Sequence, residues 1–146
     1  MTDIYISAQS VVVWLGPAYN NSDLAMRETP NLSTLFSNVK DISHLERHTL
    51  VGHKFPVIED PVWLAVMKLA FRNWFSRLWV VQEAVLAQEI TVICGADRLD
   101  FGEIVRFTNY LRVCPVMDDI IFVNNYNYPP TDSSSVPCQS WKIFGI

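Results

Sequence analysis

The residues whose types and spacing best suit chemistry are Trp79, Gln82 and Glu83, in the run Arg77-Leu78-Trp79-Val80-Val81-Gln82-Glu83. Trp79, Val80, Ala84 and Ala87 recur at spacings of three and four, which predicts a helix. An acid in so apolar a helix must face a cleft, find a partner, or stay protonated. Trp79 lies four residues before Glu83, one turn away on the same face, so the indole can cover the carboxylate and reduce its hydration. Partial desolvation raises a carboxyl pKa, while an open side lets the acid meet a ligand. Glu83 is therefore the candidate catalytic acid, with Gln82 to orient it and Trp79 to wall its pocket. The plainer alternative stays open: Glu83 pairs with a backbone or cationic group, and Trp79, Trp14, Trp74 and Val80 are core.

Other clusters carry less. His44, His48 and His53 fall in one stretch, but three histidines without a Cys or Asp scaffold are a poor ligand set, and no metal is expected. Lys68 and Arg72, four apart, could join Arg77 in meeting a phosphate, yet the spacing more simply predicts a solvated helix face. Cys94, Cys114 and Cys138 are too few and too far apart for a disulfide framework. No residue is singled out for cofactor binding.

These side chains must be positioned by a helix leading into a strand. Ile90-Thr91-Val92-Ile93-Cys94 is a β-branched apolar run closed by Gly95, the pattern of a strand covered on both faces in a parallel sheet. Upstream, residues 2–10 predict a short helix, residues 11–15 a strand stopped by Gly16-Pro17, and residues 23–28 a helix capped by Asn20, Asn21 or Ser22. Pro30 interrupts that helix, and a second piece follows over residues 33–39. Residues 41–58 read as a surface loop. Asp60-Pro61 opens a helix that runs to about Arg72, broken over residues 73–76. Asp100 and Glu103 have capping-box spacing for a helix over residues 101–112, with Ile104, Phe107, Thr108 and Leu111 inward and Pro115 as its stop. Beyond it the pattern dissolves. The order is α/β, with strands joined through helices in a right-handed parallel crossover, and two strands alone leave that sheet incomplete.

Two blocks carry a resemblance. Arg77, Trp79, Gln82 and Glu83, followed by a strand ending in Cys94-Gly95, resemble the R-x-W-x-x-Q-E block of the fungal heterokaryon incompatibility (HET) domain. Met1, Ile4-Tyr5, Ala8 and Val11-Val12-Val13-Trp14-Leu15-Gly16 are similar to that family's M-x-x-I-Y-x-x-A-x-x-V-x-V-W-L-G block, and Ser22-Asp23-Leu24-Ala25-Met26 also fits. The resemblance implies a TIR-like, flavodoxin-like α/β fold present here in part, because the family's upstream W-I-D-x-x-C-I-N-Q block has no counterpart in this sequence. Residues 1–113 are then a partial HET domain and residues 114–146 a divergent, irregular tail. It further implies a module of fungal non-self recognition and programmed cell death. Some TIR domains cleave NAD with a glutamate four residues after a Trp, the spacing of Trp79 and Glu83, so NAD is the implied substrate of the intact domain. The alternative is a non-catalytic interaction module or a degenerate fragment.

Composition sets bounds on partners. At 146 residues there is room for one core. A net charge of −4 argues against nucleic acid, which requires a basic face. No apolar run reaches the length of a membrane span, no signal segment is visible, and a cytoplasmic setting fits the cysteine usage. Half the residues are hydrophobic and the mean hydropathy is +0.17, so an exposed apolar surface that meets a protein partner or a second copy is expected.

Overall fold

The computed structural model describes residues 10–70, 72–75, 87 and 89–127. Their elements run β1 (Val11–Trp14), α1 (Ser22–Ser37), two single 3₁₀ turns (Ile42–His44 and Val51–His53), α2 (Pro61–Ala70), β2 (Ile90–Cys94), β3 (Asp97–Asp100), α3 (Phe101–Val113) and α4 (Met117–Asn127). The expected helix over residues 2–10 lies outside the described residues. The fold is mixed α/β, with helices flanking a three-stranded sheet in the order β1-β2-β3.

β1 and β2 pair in parallel from Val11 opposite Ile90 to Trp14 opposite Ile93, as their β-branched runs predict. β3 was not legible: it adds antiparallel to β2, with Val92 opposite Leu99, yet is charged at three of its four positions. It forms because Gly95, at φ +60°, opens a two-residue turn that folds the chain straight back along β2. Val13, Val92 and Leu99 make the buried row of the sheet, and α1 and α3 pack over it. The opposite row is open at β1, where Val12 is 62% and Trp14 56% exposed. The expectation that β2 is covered on both faces is therefore corrected: Val92 and Cys94 are buried, whereas Thr91 and Ile93 are half-exposed. Trp14 is not a core residue either; strand alternation turns it outward.

α1 is one continuous helix, not two pieces around Pro30. Its buried stripe of Ala25, Met26, Thr29, Leu32, Ser33 and Phe36 runs through the proline without a break, and that packing outweighs the roughly 3 kcal/mol a mid-helix proline costs. Phe36 is the hub of the core, its ring 4.6 Å from Phe55, 5.4 Å from Tyr110 and 6.1 Å from Phe107. Phe55 shows why residues 41–58 are more than a surface loop. Leu45, Leu50, Phe55 and Ile58 are all buried, and the Trp63 indole N–H donates to the Val57 carbonyl at 3.0 Å. α2 starts as its sequence predicts, with Asp60 Oδ1 accepting from Val62 N at 2.9 Å. Asp100 caps α3 by accepting from Gly102 N at 2.7 Å, and Phe101, Ile104, Phe107 and Leu111 face inward.

The stretch assigned to an irregular tail is corrected over residues 117–127, which form α4. Met117, Ile120, Ile121 and Asn124 share its inner face. Three asparagines between residues 124 and 127 mask that stripe in the sequence; the packing against α2 reveals it. Asn124 is fully buried, and its Nδ2 donates to the carbonyls of Ile58 at 2.9 Å and Ile120 at 2.8 Å, tying α4 to the end of the 41–58 segment. Residues 128–146 lie outside the described residues.

Asn124→Ala leaves the buried Ile58 carbonyl without this donor and should cost about 1–3 kcal/mol of unfolding free energy, read from urea denaturation. An unchanged midpoint would mean that α4 is not part of the cooperative unit.

Candidate functional site

Trp79, Gln82 and Glu83 lie outside the described residues, as do Arg77 and Val80, so no geometry is assigned to the expected acid and its indole. The described residues show the end of the sheet opposite to the one where the chain enters β2 at Ile90. β1 and β2 run in parallel, so their carboxyl ends, Trp14-Leu15 and Ile93-Cys94, stand side by side. In open α/β sheets this is the end where ligands bind.

The loop after β1, residues 16–21, is folded tightly over that end. Gly16 stands at φ +97°, and its carbonyl accepts from Gly95 N at 3.0 Å, joining the loop to the β2–β3 turn. Contact there is close: a Cβ at Gly95 would stand 2.8 Å from that of Ala18. Asn20 and Asn21 both adopt left-handed backbone at φ 55° and 57°, conformations that Asn tolerates better than most residues. Asn21 is the N-cap of α1, though without a side-chain bond; Ser22 Oγ instead accepts from Tyr19 N at 3.2 Å.

Arg72 organises this loop. The expectation of a solvated Arg72 beside Lys68 is corrected: Lys68 is exposed, whereas Arg72 is 5% exposed and lies beyond the end of α2 at Ala70. Where the helix stops, the chain turns, and Arg72 no longer shares the outer face that helical spacing implies. Its Nη1 donates to the carbonyls of Leu15 at 2.8 Å and Pro17 at 3.0 Å, and its Nη2 to that of Tyr19 at 3.2 Å. The guanidinium carbon sits 3.9 Å above the centre of the Tyr19 ring. Among the described residues no carboxylate pairs with it; backbone dipoles and a π face take the place of water. Sequence reasoning noticed Arg72 but gave it the wrong surroundings, and missed Tyr19 altogether. The one available signal was the Gly16-Pro17 break followed by two asparagines, which marks a shaped loop.

Trp74 is partly buried, edge-on to Phe75 and Phe101 at 5.2 and 5.9 Å. Cys94 is buried with its thiol 3.9 Å from the Pro17 carbonyl, and burial pushes the Cys114 thiol up to about 11. Ser43, His44 and Asp41 contact one another, but as an exposed turn cap. Asp41 accepts from Ser43 Oγ and pairs with His44 Nδ1 at 2.8 Å, and these bonds hold its carboxyl below the usual range. His48 pairs with Glu46 at 3.3 Å, and among the described residues no group of three His, Cys, Asp or Glu could hold a metal ion. No helix among them is long and apolar enough to cross a membrane.

Arg72→Met removes every bond to the loop carbonyls and should cost on the order of 3 kcal/mol by chemical denaturation, with Arg72→Lys costing less. A variant as stable as the parent would show that the loop holds itself. Gly95→Ala should destabilise by roughly 1–3 kcal/mol through positive φ and the Ala18 contact. In the same assay Ala18→Gly should recover only part of that loss. Full recovery would mean that backbone conformation contributes nothing there, and no recovery that the contact does not.

Residues 1–83, more than half of the chain, match the family described as Heterokaryon incompatibility protein (HET). A curated relative, Heterokaryon incompatibility protein 6, OR allele, of Neurospora crassa, is 29% identical over 142 residues; the match covers 81% of this chain and 20% of the relative. The chain thus spans about one fifth of that relative's length. No solved structure matches it. The matched residues include both the β1 block and the run from Arg77 to Glu83, and on that ground the chain belongs to the fungal heterokaryon incompatibility (HET) family.

Proposed function

We propose that this chain serves a fungal non-self recognition system as an effector element, acting in the cytoplasm, and that the intact domain brings about cell death by cleaving NAD. Membership of the HET family supports the first part. The observation that supports the second is the side-by-side placement of the carboxyl ends of β1 and β2 beneath the 16–21 loop, the end of a parallel α/β sheet at which ligands generally bind. Glu83 lies seven residues before Ile90, in the segment that feeds β2, with Trp79 one helical turn ahead of it in sequence.

In that reaction the bond between nicotinamide and ribose breaks, nicotinamide departs with the electron pair, and water supplies the oxygen that replaces it. Positive charge develops on the ribose as the bond lengthens. A carboxylate at Glu83 stabilises that charge, as in glycoside hydrolysis, Gln82 orients it, and Trp79 excludes water.

A second reading has its own support. Val12 and Trp14 expose an apolar pair on β1, which among the described residues is an edge strand without a charged residue, the kind of surface that natural sheets normally guard. A module acting only through association would use that face, with a protein partner or a second copy.

Expression in a fungal host separates the two. Growth arrest accompanied by NAD loss, both abolished by Glu83→Ala, is the expected result. Arrest that survives Glu83→Ala but disappears with Trp14→Asp would overturn the enzymatic reading in favour of association.

A further inference from the structure

Between β1 and α1 the chain carries an aromatic ring seated on a buried cation. One face of Tyr19 is covered by the Arg72 guanidinium at 3.9 Å, yet the residue as a whole is 53% exposed. Its backbone is fixed from both sides. Tyr19 N donates to Ser22 Oγ at 3.2 Å, while its carbonyl accepts from Ser22 N at 3.2 Å and from Arg72 Nη2 at 3.2 Å. Arg72 is held in turn by the Leu15 and Pro17 carbonyls. The ring is thus presented to solvent already ordered, at the carboxyl ends of the parallel strands, so a ligand that stacks on it need not bear the cost of fixing it.

We propose that Tyr19 is a stacking platform for the purine base of an adenine nucleotide, the adenine end of NAD if the intact domain acts on that dinucleotide as argued above. A flat heteroaromatic ring suits an exposed tyrosine face. The base is the neutral adenine and not the cationic nicotinamide ring, because the guanidinium already draws on the ring's electron density from its other side. A second cation on the same ring would meet repulsion. The charge of Arg72, without a paired carboxylate among the described residues, favours the nucleotide's phosphates over long range.

The test is titration of the full chain with AMP, ADP-ribose and nicotinamide mononucleotide by calorimetry, joined to NMR magnetisation transfer between the adenine protons and the Tyr19 ring. AMP and ADP-ribose should bind, and nicotinamide mononucleotide should bind at least about tenfold more weakly. Tyr19→Ala should weaken AMP about tenfold or more, whereas Tyr19→Phe keeps the platform and the affinity. The magnetisation transfer needs no variant, so the proposal stays testable even if Tyr19→Ala does not fold. Absence of AMP binding, AMP binding without transfer to Tyr19, or equal affinity for the nicotinamide nucleotide would overturn it. The reaction is judged separately, by nicotinamide release from NAD. A chain that binds AMP through Tyr19 but belongs to a domain that spares NAD would sink the cleavage reading and leave this site standing.

Discussion

A single buried guanidinium holds together the end of the molecule on which the functional account rests. Taking a cation out of water costs several kcal/mol unless its donors are satisfied, and here backbone carbonyls satisfy them. Arg72 reaches back more than fifty residues to Leu15, Pro17 and Tyr19, so the bonds fix where β1 ends, how the loop turns and where α1 begins. α1 in turn carries Phe36 into the aromatic centre of the core. Without the cation, the carbonyls of Leu15 and Pro17 would need other donors, and that of Tyr19 would keep only the Ser22 amide.

The same end of the sheet shows how a parallel pair is finished when few strands are available. Gly16 and Gly95 let two turns meet at backbone distance, and β3 returns antiparallel to shelter the far side of β2. β1 is treated differently. Its inner residue, Val13, is buried under the helices, while Val12 and Trp14 stay open on the other face. Among the described residues the helices therefore cover one face of the sheet, while Val12 and Trp14 leave apolar surface on the other.

Much of this was legible in the sequence, for identifiable reasons. β1 and β2 were readable because β-branched runs ended at glycine, and α2 and α3 because Asp60-Pro61 and Asp100 are strong start signals. Family membership was readable because two spaced blocks carry it. The failures are equally specific. Pro30 overstated its power against a continuous buried stripe, and β3 has one apolar residue to announce it. The 41–58 segment hides four core residues at spacings that match neither helix nor strand. Arg72 illustrates a general limit: a sequence shows that a cation exists, but only a helix that ends at Ala70 puts it against carbonyls more than fifty residues away. Glu83, Trp79 and Gln82 lie outside the described residues, and the roles given to them belong to the proposal alone.

A pre-formed site at the parallel strand ends requires a loop fixed as firmly as the sheet beneath it. Native-state hydrogen exchange at the Gly95 amide, bonded to Gly16 O at 3.0 Å, measures this against the Leu15 amide, bonded to Ile93 O at 2.9 Å in the β1–β2 ladder. Protection of Gly95 comparable to that of Leu15 is the predicted result. A Gly95 amide that exchanges as freely as an unstructured peptide, while Leu15 stays protected, would contradict it.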